Sequence, residues 1–253
     1  MKNQRFNSIL WLCAFLQILW FTPLQAQTDE SVSTEGEVEK EKPRRVSGIF
    51  GGFSAGYQFY SMEEFNNYFA PEAFAPVPDN SITLGGHGTM IVRNWVLGGE
   101  GHNATRKRAS SSSLDAELNS NWGMANLGYV VLARKGFLLY PKLGFGAYTH
   151  ELILKDQIST TSMDSISGGN FAGTTMTRTG LLGSAELTFE FTPSPKETSS
   201  GGFLFGLTAG YQMPLSDKGW EAYGISVTDG PEIDLGGMYV RLRVGLGGWI
   251  RQR

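Results

Sequence analysis

Residues able to do chemistry recur in this sequence on a shared parity: Glu100 and His102 two apart, Arg241 and Arg243 two apart around Leu242, and Glu186 and Glu190 four apart with Thr188 between them. On an extended chain alternate side chains share a face, so a carboxylate and an imidazole two residues apart stand side by side. That juxtaposition could serve proton transfer. The same residues admit a structural reading. Glu100, Glu117, Glu186 and Glu190 are matched in number by Lys142, Arg178, Arg241 and Arg243, and charges of both signs can satisfy one another inside a closed space. These eight are therefore the expected interior ion network. No catalytic residue, metal site or cofactor is expected. The pairs Gly85-Gly86, Gly98-Gly99 and Gly247-Gly248 precede no strand-to-helix change, so they are not phosphate loops.

The elements that must hold these residues follow from periodicity. In "YPKLGFGAY", Leu143, Phe145 and Ala147 alternate with Lys142, Gly144 and Gly146. Seven more segments repeat the pattern between Val46 and Arg253. Ile49, Phe53, Tyr57 and Phe59 oppose Ser54 and Gln58; Ile82, Leu84, Met90 and Val92 oppose Thr83, His87 and Thr89; Leu97 opposes Glu100 and His102. Leu114, Ala116, Leu118, Trp122 and Met124 oppose Asp115, Glu117, Asn119 and Asn121, with a parity break near Asn126 that predicts a bulge. Leu181, Leu187 and Phe189 oppose Arg178, Ser184, Glu186 and Glu190. Phe203, Phe205, Leu207, Ala209, Tyr211 and Met213 share one side of the next segment, and Met238, Val240, Leu242, Val244 and Leu246 oppose Tyr239, Arg241 and Arg243. Recurrence at i+2 excludes helices.

Three domains are expected. Lys2 and Arg5 precede an apolar run from Ile9 to Phe21, and Leu24-Gln25-Ala26 ends on a small residue, so 1–26 reads as a secretory signal peptide. The only cysteine, Cys13, falls inside it. Residues 27–45 are rich in Glu, Lys, Ser and Thr and read as a disordered periplasmic tether. Residues 46–253 carry the strands. Charged residues are 18% of the chain and glycines number 33, a bias toward closely spaced strands, while a net charge of −3 gives no nucleic-acid footprint.

Eight segments of about ten residues are the number and length of a small membrane barrel. The connections at Asn94, Lys135-Gly136 and "TPSPKETSSG" are short, whereas 61–81, 106–113, 157–173 and 216–232 are long. Alternation of this kind predicts an all-β, eight-stranded antiparallel up-and-down transmembrane β-barrel with long loops at one end. The polar parity is mostly Gly, Ser, Thr and Asn, as in a lumen just wide enough for side chains. The apolar parity then meets lipid. Trp95, Phe137, Tyr140, Phe189, Phe203 and Trp249 are expected as an aromatic girdle at the turn end, with Tyr57 and Phe59 near the other.

"YPKLGFGAY" and "FGLTAGYQMPL" resemble strands of the small outer-membrane β-barrel family, the opacity-like and outer-membrane-protein-A-like porin superfamily, over about Val46 to Arg253. The resemblance implies a monomer in the outer membrane of a Gram-negative bacterium, inserted by the barrel-assembly machinery and surrounded by outer-membrane lipid. One departure is that such barrels finish on an aromatic residue, whereas Trp249 is followed here by Ile250-Arg251-Gln252-Arg253. The expected role is structural or surface-interacting, with the interior plugged by polar and ionic side chains. A narrow or gated pore for ions or small apolar solutes is the alternative. A lipid A-modifying enzyme is a third reading, because some barrels of this kind use a histidine, a serine and an acid near the outer leaflet, and His102 and His150 are expected at the outer rim. Arg106-Lys107-Arg108, at the end of a strand, are expected to face lipopolysaccharide phosphates or solvent.

Overall fold

The computed structural model describes residues 45–72, 74–111, 114–134, 136–156, 173–193, 199–228, 230–234 and 236–252. The expected leader, and the expected tether apart from Arg45, lie outside them. Ten strands are described: β1 (Arg45–Phe59), β2 (Asn80–Val92), β3 (Trp95–Ser110), β4 (Leu114–Tyr129), β5 (Leu132–Arg134), β6 (Phe137–Asp156), β7 (Gly173–Phe191), β8 (Ser199–Ala222), β9 (Ile225–Val227) and β10 (Gly237–Gln252). Eight of them form a closed antiparallel ring in the order β10-β1-β2-β3-β4-β6-β7-β8, completed by pairing of β8 with β10. Closure leaves no free ring edge, the condition for a sheet to cross lipid. The short β5 pairs with the start of β6, and β9 forms a hairpin with the far end of β8.

Tight turns gather at one end, here the turn end, where the ring strands β1 and β10 also begin and finish. Between β2 and β3 the chain reverses through Arg93 and Asn94, at φ 51° and 75°. Such a two-residue primed turn matches strand twist, and asparagine tolerates the left-handed region. The Asn94 side chain also accepts a hydrogen bond from the Val46 N–H at 2.6 Å, tying the turn to the start of β1.

At the opposite, loop end the connections are 60–79, 157–172 and 223–236, of which 157–172 lies outside the described residues. The fourth departs from expectation. β3 runs to Ser110 and β4 begins at Leu114, so 106–110 are strand and not loop. The 60–79 link folds inward. Its helix α1 (Glu63–Phe69) drives Phe65 and Phe69 into a cluster with Met62 and Val77 from the same link and Leu118, Leu152 and Trp220 from the barrel wall.

The outer surface of the ring is apolar: Ile49, Phe53, Leu84, Leu143, Phe145, Phe203, Leu242 and Leu246 are all exposed, Phe53 by 81%. Side chains of this type facing outward around a whole ring meet hydrocarbon, not water. Two rows of small outward residues cross the wall in register, Gly51-Gly88-Gly99-Ala125 and Gly86-Gly101-Gly123-Ala147. The inner parity buries Ser54, Gln58, Thr83, His87, Glu100, Lys142, Glu186, Thr208 and Arg241.

β4 reverses the expected faces. Trp122 and Met124 point inward and pack with Ala104, Tyr148 and Leu182, while Asn121 points outward beside Asn103. Parity does not break at Asn126, which is buried, with Leu127 exposed next to it. The irregularity sits on β3 instead, where the register shifts between Ala104 and Lys107. The girdle is corrected too. Tyr140 and Trp249 are buried inside the turn end with Val46, Phe50, Ile91, Val96, Leu138 and Leu204. Trp95, Phe137, Phe189 and Phe203 do face outward, and Tyr129 and Phe191 join them, packing on Trp95 at 5.5 Å and on Phe137 at 4.7 Å.

Candidate functional site

The lumen is filled in layers. Above the apolar floor at the turn end, four strands converge their charges: Glu100 from β3, Lys142 from β6, Glu186 and Glu190 from β7, and Arg241 and Arg243 from β10. Lys142 and Glu186 are direct cross-strand partners. The Lys142 Nζ lies 3.1 Å from both Glu100 Oε2 and Glu186 Oε2, and Arg241 Nη1 lies 2.8 Å from Glu100 Oε1. Ser184 donates to Glu186 at 3.2 Å. A second pair stands toward the turn end, with Arg243 Nη1 3.0 Å from Glu190 Oε1 and 3.1 Å from the Tyr140 hydroxyl.

Glycines on β8 make these contacts possible. Gly206 lies opposite Glu190 on one side and Arg243 on the other, so nothing stands between the two charged side chains. Gly210 lies between Glu186 and Tyr239 in the same way, and a Cβ there would sit 2.8 Å from the Tyr239 ring. The freed Tyr239 ring lies 3.8 Å under the Arg241 guanidinium, a cation–π contact that covers one face of the charge.

Three acids face three bases in this layer, so it carries no net formal charge. Each charged side chain is nearly inaccessible, Glu186 and Glu190 fully so. Removed from water, such charges are tolerable only when paired, and each here has an opposite partner within 3.1 Å. Chemically the arrangement cross-links strands that are not neighbours, since Glu100 of β3 reaches β6 and β10 across the lumen.

Two of the eight expected members are elsewhere. Glu117 is on the outer wall, because β4 presents its odd residues outward, and it is held by Arg106 and by Arg108 and Lys155 at 3.8 and 3.6 Å. Arg178 does face inward, but near the loop end, where it pairs with Asp217 and donates to the Pro231 carbonyl at 3.3 Å. It does not touch the central layer. Lys107 differs from its two neighbours: the bulge turns it inward, where it donates to the Pro78 carbonyl and lies 4.6 Å over the Tyr60 ring.

The histidines are lumenal and buried, not at an accessible rim. His102 Nε2 and Ser54 Oγ are 2.8 Å apart, and His150 Nδ1 and Ser120 Oγ are 2.7 Å apart. These two serine–histidine pairs escaped the sequence reading because each joins strands whose register was not known. In neither does the other ring nitrogen meet a partner among the described residues, so no acid orients the imidazole. His87 sits opposite Glu100 with both ring nitrogens unpartnered among the same residues. No group of three or more His, Cys, Asp or Glu suited to a metal ion occurs among the described residues.

Fold and wall chemistry together define an eight-stranded transmembrane β-barrel with a filled lumen. No protein-family model matches the sequence, and no curated protein is similar to it. Among solved structures it is similar to Ail, the attachment invasion locus protein of Yersinia pestis, at 15% identity over 82% of this chain and 99% of that chain, with a TM-score of 0.40. It is also similar to Neisserial surface protein A, at 8% identity over 81% and 97% with a TM-score of 0.37. A third likeness is to the outer membrane protein OprG from Pseudomonas aeruginosa, at 13% identity over 83% and 96% with a TM-score of 0.30.

Proposed function

We propose that the chain is a closed, non-conducting β-barrel of the outer membrane of a Gram-negative bacterium, with a structural or surface-interaction role and its loop end outside the cell. The observation that carries this reading is the lumen. It holds an apolar floor at the turn end (Phe50, Leu138, Trp249), the charge-balanced layer, an apolar cluster packed beside those charges from β3, β4, β6 and β7 (Trp122, Met124, Leu182), and a cap at the loop end in which Phe65 and Phe69 of the folded-in link meet Leu118 and Trp220. A conduit for ions or solutes needs a continuous wet path, and the apolar floor, the paired charges and the apolar cap argue against one. Burial of both serine–histidine pairs argues in the same way against a lipid-modifying enzyme, whose nucleophile must reach the membrane from the outer wall.

Planar-bilayer recording tests closure: the purified chain should add no stepwise conductance above the bare bilayer. Reproducible single-channel steps that disappear with Arg243→Ala would replace this reading with a gated pore. Recovery of the chain in the soluble periplasmic fraction would remove the membrane assignment altogether.

A further inference from the structure

The 60–79 link is closed on itself and seated in the loop-end mouth. The Tyr60 N–H donates to the Asp79 carbonyl and the Met62 N–H to Asp79 Oδ1, both at 2.9 Å, and the Asn66 amide exchanges two hydrogen bonds with the Val77 backbone at 2.7 and 2.9 Å. Such a unit can move as one piece. Its apolar side chains rest in a bowl made by Ala109, Ala116, Leu118, Leu152, Met176 and Trp220 of the wall. A further contact from the wall is a charge. Between Ala104 and Lys107 two residues of β3, Thr105 and Arg106, stand against Asn119 alone, and this bulge exchanges the faces of β3 so that Lys107 turns inward. Its ammonium reaches both ends of the link, donating to the Pro78 carbonyl and lying 4.6 Å over the Tyr60 ring.

Lys107 is 7% exposed, and unlike the charges of the central layer it has no carboxylate in ion-pair contact among the described residues. The groups that face it are few. From the link these are Asp79, exposed to solvent with one oxygen committed to Met62, and the Tyr60 hydroxyl, which burial keeps above its ordinary range and therefore neutral. On β3 and β4, Arg106, Arg108 and Glu117 point outward, and Leu118 stands opposite Lys107. Lys107 lies beyond the outward polar row Asn103-Asn121-Thr149-Thr179, on the loop-end side of the membrane span. Burial holds its ammonium at about 8, below an ordinary 10.5, and Asp79 offsets only part of that effect. A carbonyl and an aromatic face do not replace the water this cation has lost.

We propose that the 60–79 link is a proton-operated lid: a charged Lys107 works against closure, and the link swings off the bowl of Leu118, Leu152 and Trp220 while the floor and the central charges stay shut. The inference goes beyond the closed-barrel reading, to which it adds a moving part at the loop end. An open lid returns the ammonium to water and to its ordinary range near 10.5, whereas the closed lid holds it at about 8. Between those values the open form binds the proton more firmly, so closure strengthens as pH rises from 8 to 10.5. Below that window both forms are protonated and the whole penalty stands, so the lid opens most readily at neutral pH.

The test uses the full chain folded in nonionic-detergent micelles, with Cys13→Ser so that one introduced thiol is read at a time. Met62→Cys places that thiol on the buried side of the link and Tyr68→Cys on its exposed side. The ratio of their modification rates by a methanethiosulfonate follows lid opening, because the thiol's own titration cancels. The ratio should fall by about tenfold or more between about pH 7 and about pH 10.5. Lys107→Met should hold it at the low value throughout, and Asp79→Asn, which removes the carboxylate that favours the cation, should raise it at neutral pH. Lys218→Gln, which removes an exposed cation elsewhere at the loop end, should leave the profile unchanged. A flat profile in the parent, a Lys107→Met ratio above the parent's at neutral pH, or loss of the pH dependence in Lys218→Gln would overturn the proposal. Should the cysteine variants lack heat-shifted gel migration, amide exchange at residues 65–69 of the unsubstituted chain, scaled to intrinsic rates, should show the same fall in opening, and an opening constant independent of pH would overturn the lid.

Discussion

Glu100→Gln removes the charge at which two strands meet across the lumen. Glu100 Oε1 accepts from Arg241 at 2.8 Å and Oε2 from Lys142 at 3.1 Å, and the carboxylate is almost fully buried. Without it Lys142 keeps Glu186, but Arg241 keeps no carboxylate, and the layer changes from three acids against three bases to two against three. Leaving a buried cation without its partner costs about 3–5 kcal/mol. The retained amide oxygen and the Tyr239 ring beneath Arg241 bring the expectation to about 3 kcal/mol, the low end of that range. Urea unfolding in lipid vesicles, read by tryptophan fluorescence, measures it. Trp122 lies 5.8 Å from Arg241 and reports on the same layer. The second arm is Glu100→Gln with Arg241→Met, which restores neutrality. The double variant should be more stable than the sum of the two single losses by about 0.5–3 kcal/mol. An unchanged midpoint in Glu100→Gln, or strict additivity, would refute the reasoning.

Three more expectations follow from the same geometry. Glu117→Gln, also the loss of a carboxylate among cations, should cost less than about 1 kcal/mol in the same unfolding assay because its partners are solvent-exposed. His87→Met should be neutral or mildly stabilising by thermal scan, since it removes an imidazole whose ring nitrogens are buried without partners among the described residues. Gly210→Val should destabilise by about 1–3 kcal/mol, because its side chain would displace the Tyr239 ring from beneath Arg241; Gly210→Val with Tyr239→Ala should recover part of the loss.

Most strand faces were legible because the lipid side of this barrel is uniformly apolar and a two-residue period can be counted. Phe53, Leu143, Leu187, Phe205 and Leu242 are exposed where that period puts them. β4 was not legible, for a physical reason. The rule that apolar means lipid-facing assumes a polar lumen, and this lumen has an apolar layer in which Trp122 and Met124 meet Tyr148 and Leu182. With the faces of β4 exchanged, Glu117 falls inward and the irregularity moves from β3 to Asn126. Tyr140 and Trp249 are not separable from girdle residues in the sequence, because a floor aromatic and a girdle aromatic look alike there and differ only in parity relative to the ring. The central ion layer was legible as composition, from the balance of buried-parity charges. Its pairing was not, because Glu100 and Arg241 are 141 residues apart and only ring closure brings them together.

The lipid-facing wall is tested most directly at Leu143, which is 63% exposed in the middle of the outward apolar run of β6. In vesicles, Leu143→Lys should lower unfolding stability by about 2–4 kcal/mol, the cost of a cation on the lipid face near the bilayer midplane. A change within about 0.5 kcal/mol, as for a substitution on a water-facing surface, would contradict a barrel whose apolar face lies in lipid and whose charges lie inside.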